Sequence, residues 1–162
     1  MKILALDFGS AKTGWAHSDG PSGVWDLSIR RDESGGMRLI RFESKLKEII
    51  KGLGIDLIVF EAVTVNRGER ANLNSVKLHS KLQAIVERLV ARIKGLECCS
   101  YNLQEIKKHA IPMKGKKRDK AAMVEAARVK WPDVEIVDDN MADALWLLDL
   151  AKSELGGDVK RK

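Results

Sequence analysis

The chain has 162 residues, a formal net charge of +6 and 44% hydrophobic residues, enough for one domain with an ordinary core. No apolar run approaches the ~18 residues that cross a bilayer, and Asp7 interrupts the apolar start too early for a signal segment. The expectation is a soluble, cytoplasmic protein with no membrane partner, and the basic balance points to a polyanionic one.

Residues 2–8 read as a buried strand bounded by Gly9-Ser10. Thr13–Ser18 and Val24–Arg30 read as two further strands, giving an antiparallel meander. Apolar residues from Met37 to Ile50 recur at helical spacing, and Gly52-Leu53-Gly54 ends that helix. Ile55–Ala62 is a continuous apolar run of strand length, as expected of a central strand buried on both faces. Thr64–Asn74 is a polar loop, and Ser75–Ile93 is a long amphipathic helix whose stripe suits either core or a dimer surface.

Leu96–Tyr101 is the fifth strand, and Leu103–Ala110 a helix stopped before Pro112. The basic stretch Lys114–Arg118 leads to a helix over Asp119–Lys130, with Asp119 as N-cap. Asp138 or Asp139 caps a last helix running to about Ser153. This order predicts an α/β fold with a mixed five-stranded sheet flanked by helices. Residues 1–154 form the domain, and 155–162 a flexible basic tail.

Cys98 and Cys99, as neighbours, are expected to stay reduced. His17, His79 and His109 show no metal spacing and read as surface or capping residues. The acids are more informative. Asp7 ends the first strand, where ligands bind in α/β sheets, although a lone aspartate there could equally accept turn N–H groups. Glu61 directly follows Leu57-Ile58-Val59-Phe60, and a carboxylate at the end of a buried strand is costly unless it is paired or holds a cation. Asp139 and Asp143 share one helix face, where like charges repel. Asp143 also stacks at helical spacing on Trp146, Leu147 and Leu150, which suits an inward orientation, the alternative being a capping Asp139 with Asp143 solvated. Carboxylates from three separate places suit hard oxygen-ligand ions and two-metal phosphoryl chemistry.

These segments resemble a known family. Ile3-Leu4-Ala5-Leu6-Asp7-Phe8-Gly9-Ser10, Val59-Phe60-Glu61 and Asp139-Asn140-Met141-Ala142-Asp143-Ala144-Leu145 are similar, in order and separation, to the acidic motifs of RuvC-type Holliday junction resolvases. The Asp139/Asp143 spacing looks most like phage-associated members. The resemblance implies an RNase H-like fold, a homodimer, and Mg²⁺-dependent cleavage of branched DNA such as a four-way junction, with two ions per site and Mn²⁺ as a substitute. It implies Asp7, Glu61 and Asp143 as metal ligands. Asp139 is the expected fourth, one residue before Asn140, where many members carry an acid or His. Gly115–Lys120 resembles the segment whose lysine approaches the scissile phosphate. Lys120 is the match, and Lys107 is a second family-like lysine. Lys114, Lys116, Lys117 and Arg118 would add phosphate contacts. The family's base-stacking aromatic is replaced by Thr64, leaving Arg67 and Arg70 in that loop to contact DNA.

Three other readings compete. An RNA–DNA hybrid nuclease would share the acidic set. An actin-like ATP-binding protein would share the Asp7-Phe8-Gly9-Ser10 turn, but needs further Gly-rich loops that are not seen. A junction-binding protein with a decayed site would gain nothing from carboxylates near phosphates.

Overall fold

A computed structural model describes residues 1–63, 73–113 and 115–158; Arg67, Arg70, Lys114 and the terminal Lys160-Arg161-Lys162 lie outside the described residues. Five strands form one sheet in the order β3-β2-β1-β4-β5. They are β1 (Ile3–Phe8), β2 (Lys12–His17), β3 (Ser22–Asp26), β4 (Leu57–Glu61) and β5 (Glu97–Tyr101). The first three are an antiparallel meander, while β4 pairs parallel to β1 and β5 parallel to β4. This is the expected mixed sheet.

Strand alternation divides the core in two. Leu4, Leu6 and Phe8 of β1, with Ile58 and Phe60 of β4, pack against α1 (Gly36–Leu53) and α2 (Leu73–Val90). Ile3 and Ala5, with Leu57 and Val59, face α3 (Leu103–Ala110), α4 (Lys120–Lys130) and α5 (Asp139–Asp158). The stripe Leu82, Ile85, Val86 and Leu89 of α2 is buried in the chain's own core. Asp149 fastens the α3–α4–α5 side. Its Oδ2 contacts both His109 Nε2 and Lys130 Nζ, and the Lys130 ammonium lies 5.1 Å from the Trp146 ring centre.

Most boundaries follow local chemistry. Gly54, at φ 67°, ends α1 with its N–H donating to Ile50 O. Asn102 and Glu105 form a reciprocal capping box on α3, and Asp119 caps α4 through Ala122 N. Three expectations need correction. The third strand stops at Asp26 instead of reaching Arg30, because the Asp26 carboxylate accepts from Ser28 N at 2.9 Å and turns the chain. The last helix does not end near Ser153, and residues 155–158 belong to it rather than to a tail. It meets neither proline nor a left-handed glycine there. His17 is not a surface residue. It is 3% exposed, with Nδ1 accepting from Asp19 N and Nε2 without a hydrogen-bond partner among the described residues.

One packing contact positions everything below. Gly14 pairs with Asp7 across the β1–β2 ladder, and its missing side chain lets the first turn of α5 lie directly on β2. A Cβ at Gly14 would stand 1.9 Å from Asn140 O and 2.8 Å from Met141 N. Both are backbone atoms, so no rotamer change relieves the clash. Gly14→Ala should therefore lift the start of α5 and destabilise the protein by about 3 kcal/mol, measured by urea unfolding. A loss within about 0.5 kcal/mol would refute this packing.

Candidate active site

Asp7 follows Ile3 and Ala5 on the α5 side of β1, and Glu61 follows Leu57 and Val59 on the same side of β4. The parallel register runs Ile3↔Leu57 to Leu6↔Phe60, and continuing it by one step sets the two acids side by side. A one-residue slip in either strand would turn its acid to the other face. Asp143 reaches the same space from α5, between the buried Ala142 and Ala144. The three carboxylates are half-buried and line one cleft of about 540 Å³ together with Asp139, Lys120 and Lys107.

The start of α5 is built by consecutive aspartates with different tasks. Asp138 is the cap, its Oδ1 accepting from Met141 N at 3.0 Å. Its Oδ2 lies 3.6 Å from Lys12 Nζ. Asp139 is the first helical residue and pairs with Lys120 Nζ. Gly9 must be small here too, since a Cβ would meet Lys12 O at 2.5 Å and Asn140 Oδ1 at 2.6 Å.

The electrostatics sort the acids into two kinds. Burial lifts the Asp7 carboxyl well above the usual range, and the charges of Asp143 and Glu61 lift it further, against Lys120. Burial and then Asp143 push Glu61 up to about 7, opposed by Lys107 and Lys120. Burial pushes Asp143 up to about 6, with Asp139 adding and Lys120 opposing. Asp139 moves the other way, because the Lys120 hydrogen bond holds it below the usual carboxylate range.

A hard divalent cation matches this set of oxygen donors and relieves their mutual repulsion. Among the described residues no three acids, histidines or cysteines converge closely enough to enclose an ion as they stand. Closing on one would require the carboxylates to turn inward across the cleft.

All five sequence candidates for the centre, Asp7, Glu61, Asp139, Asp143 and Lys120, meet in this cleft, as does Lys107. The other described basic residues of that stretch do not line it. Lys116 and Lys117 are exposed elsewhere, and Arg118 spends its Nε–H on Ile111 O at 2.8 Å. Sequence reasoning missed Lys12, Ser75 and His79, which also line the cleft. His79 sits edge-on to Phe8, with ring centres 6.3 Å apart, and burial lowers its pKa. Its one signal was a histidine inside the apolar stripe of α2.

No family model and no curated protein sequence matches the chain. Solved structures do. A Thermus thermophilus RuvC structure superposes with a TM-score of 0.67 at 13% identity, covering 96% of this chain and 97% of that one. The fold is RNase H-like, as in RuvC. T. thermophilus RuvC in complex with a Holliday junction substrate gives a TM-score of 0.68 at 12% identity, with 96% of each chain covered. The Fowlpox virus resolvase bound to Holliday junction DNA gives 0.58 at 13% identity, over 96% of this chain and 99% of that one.

The carboxylate cluster gives this RuvC-like fold a distinctive pH response. Folding raises the pKa of Asp7, Glu61 and Asp143. The folded chain therefore binds more protons than the unfolded chain between the ordinary carboxylate range, near 4, and about 7. Their favourable contribution is fully present below about pH 4 and is lost as pH rises through about 6 and about 7. In EDTA at about pH 8, Asp143→Asn should be more stable than the wild type by about 2 kcal/mol, and at about pH 4 the gain should vanish. Urea unfolding across pH measures this. A gain independent of pH, or a loss at pH 8, would show that the acids do not repel one another.

Proposed function

We propose that the chain is a Mg²⁺-dependent endonuclease that resolves Holliday junctions and related branched DNA. The observation that carries this reading is the meeting of Asp7, Glu61 and Asp143, from β1, β4 and α5, in one cleft with Lys107 and Lys120 beside them. The fold shared with RuvC and the Fowlpox virus resolvase, both solved with junction DNA, supports it.

In this reading Asp7, Glu61 and Asp143 hold two divalent ions, Mg²⁺ or Mn²⁺. When bound, the ions supply the charge that activates water and steadies the leaving 3′ oxygen. Asp139 is the proposed fourth ligand and would give up Lys120 in that role. Lys120 then turns to the scissile phosphate and offsets the charge that develops on its oxygens. Lys107 adds positive charge on the same side. In-line attack by water breaks the bond to the 3′ oxygen, leaving a 5′-phosphate and a 3′-hydroxyl that a ligase can rejoin. Two chains related by a two-fold axis would present two clefts to a two-fold junction and nick paired strands symmetrically.

The test is direct. Synthetic four-way junction, plain duplex and RNA–DNA hybrid are incubated with Mg²⁺, Mn²⁺ or EDTA. Junction cutting that requires the ion is expected, and Asp7→Asn should slow it by more than about a hundredfold, since even outer-shell partners of metal ligands contribute 10–100-fold. Lys120→Ala should slow it by roughly a hundredfold or more, as when one transition-state donor is removed. Cutting of the hybrid alone, or junction binding with no cutting under any ion, would overturn the proposal.

A further inference from the structure

We propose that Lys12 is a substrate-binding residue that holds a backbone phosphate flanking the one to be cut. The inference rests on the junction-cutting reading and identifies a contact in the same cleft.

β1 lies between β2 and β4, so Asp7 has β4 with Glu61 on one side and β2 on the other, where it faces Gly14 and Lys12 lines the same cleft two residues away. Strands are about 4.8 Å apart. Lys107 and Lys120 act on Glu61 and Asp143, whereas the charges Lys12 meets are Asp26, its partner across the β2–β3 ladder, and Asp138. Positive charge therefore stands on both flanks of the carboxylates. A nucleic-acid strand advances about 3.4 Å along its axis per phosphate. With one phosphate at the carboxylates, an adjacent one falls within reach of a lysine rooted one strand away.

Lys12 is also poorly explained as a fastening. Its side chain is 52% exposed, and the 3.6 Å approach to Asp138 is too long for a good hydrogen bond. Exposed pairs of this kind contribute little to folding. The contact does something else. Asp138 uses Oδ1 to cap α5 and leaves Oδ2 to the lysine. The ammonium thus stands beside the cleft on a weakly held partner that an incoming phosphate displaces.

Junction binding is measured in EDTA over a range of salt for the wild type, Lys12→Met, Asp138→Asn and Lys45→Met. Lys45 pairs with Glu48 on α1 and serves as a remote control. Removing one phosphate contact should make the slope of log affinity against log salt shallower by about 0.9, uniformly across junction sequences. Asp138→Asn keeps a good cap while removing the competing carboxylate, so its affinity should equal or exceed that of the wild type. Lys45→Met should match the wild-type slope. A wild-type slope in Lys12→Met would overturn the proposal. So would equal losses of thermal stability and of affinity in Lys12→Met and Asp138→Asn, which would make the pair a structural one. Failure of the wild type itself to bind junctions would remove the functional reading and this inference with it. Normal binding and cutting with an unchanged Lys12→Met slope would remove only the inference.

Discussion

Three carboxylates share one poorly solvated space, and the rest of the site answers to that fact. Burial is the largest influence on Asp7, Glu61 and Asp143 alike, and their mutual charges come next for Asp7 and Glu61. Charge in such surroundings is relieved in one of two ways. A proton neutralises it and leaves a hydrogen-bonding but otherwise inert cleft. A cation keeps the oxygens ionised and concentrates positive charge where a phosphate would sit. The lysines at the rim supply only part of the second remedy, since the Lys120 side chain is 79% exposed and the three inner acids remain shifted upward in its presence.

The fold imposes this crowding through ordinary secondary-structure geometry. Alternation along β1 and β4 places each acid on the helix side of its strand, and the parallel register brings them level. The third acid depends on how closely α5 approaches, and that is decided at Gly14, where helix backbone occupies the volume of an absent side chain. Asp138 then fixes the first turn of the helix, so Asp139 and Asp143 face the cleft four residues apart. Cluster geometry and fold stability are therefore linked. A change that loosens the β2–α5 contact also separates the acids.

Much of this could be read from the sequence because the signals are local. The apolar runs ending at Asp7 and Glu61 mark strand ends, the spacing of Asp143 against Trp146, Leu147 and Leu150 marks a helix face, and Asp119 announces its helix as a cap. What escaped reading depends on contacts between distant segments. Lys12 enters the cleft only because the β1–β2 hairpin returns beneath the start of α5. His79 reads from the sequence as a surface or capping residue, and nothing local says that its end of α2 meets Phe8. The basic stretch disperses for the converse reason. Its residues are adjacent in sequence, yet Gly115 takes φ 83°, Arg118 folds back onto Ile111 O, and among the described basic residues from 116 to 120 only Lys120, at the capped start of α4, lines the cleft.

The Asp139–Asp143 pair shows how a sequence-level repulsion is resolved in three dimensions. Like charges four residues apart on one helix face disfavour that helix, and a bound divalent ion is one way to relieve them. The structure contains another. Lys120, carried by a different helix, neutralises Asp139 at the rim and holds its pKa below the usual range, while burial pushes Asp143, deeper in the cleft, up to about 6. The two acids are thus inequivalent before anything binds. The outer one holds a mobile cation in readiness, and the inner one carries the unrelieved charge that an incoming ion would neutralise. That division requires α4 to begin where it does, so the Asp119 cap, which touches no acid of the cluster, contributes to the chemistry by fixing where Lys120 leaves the helix.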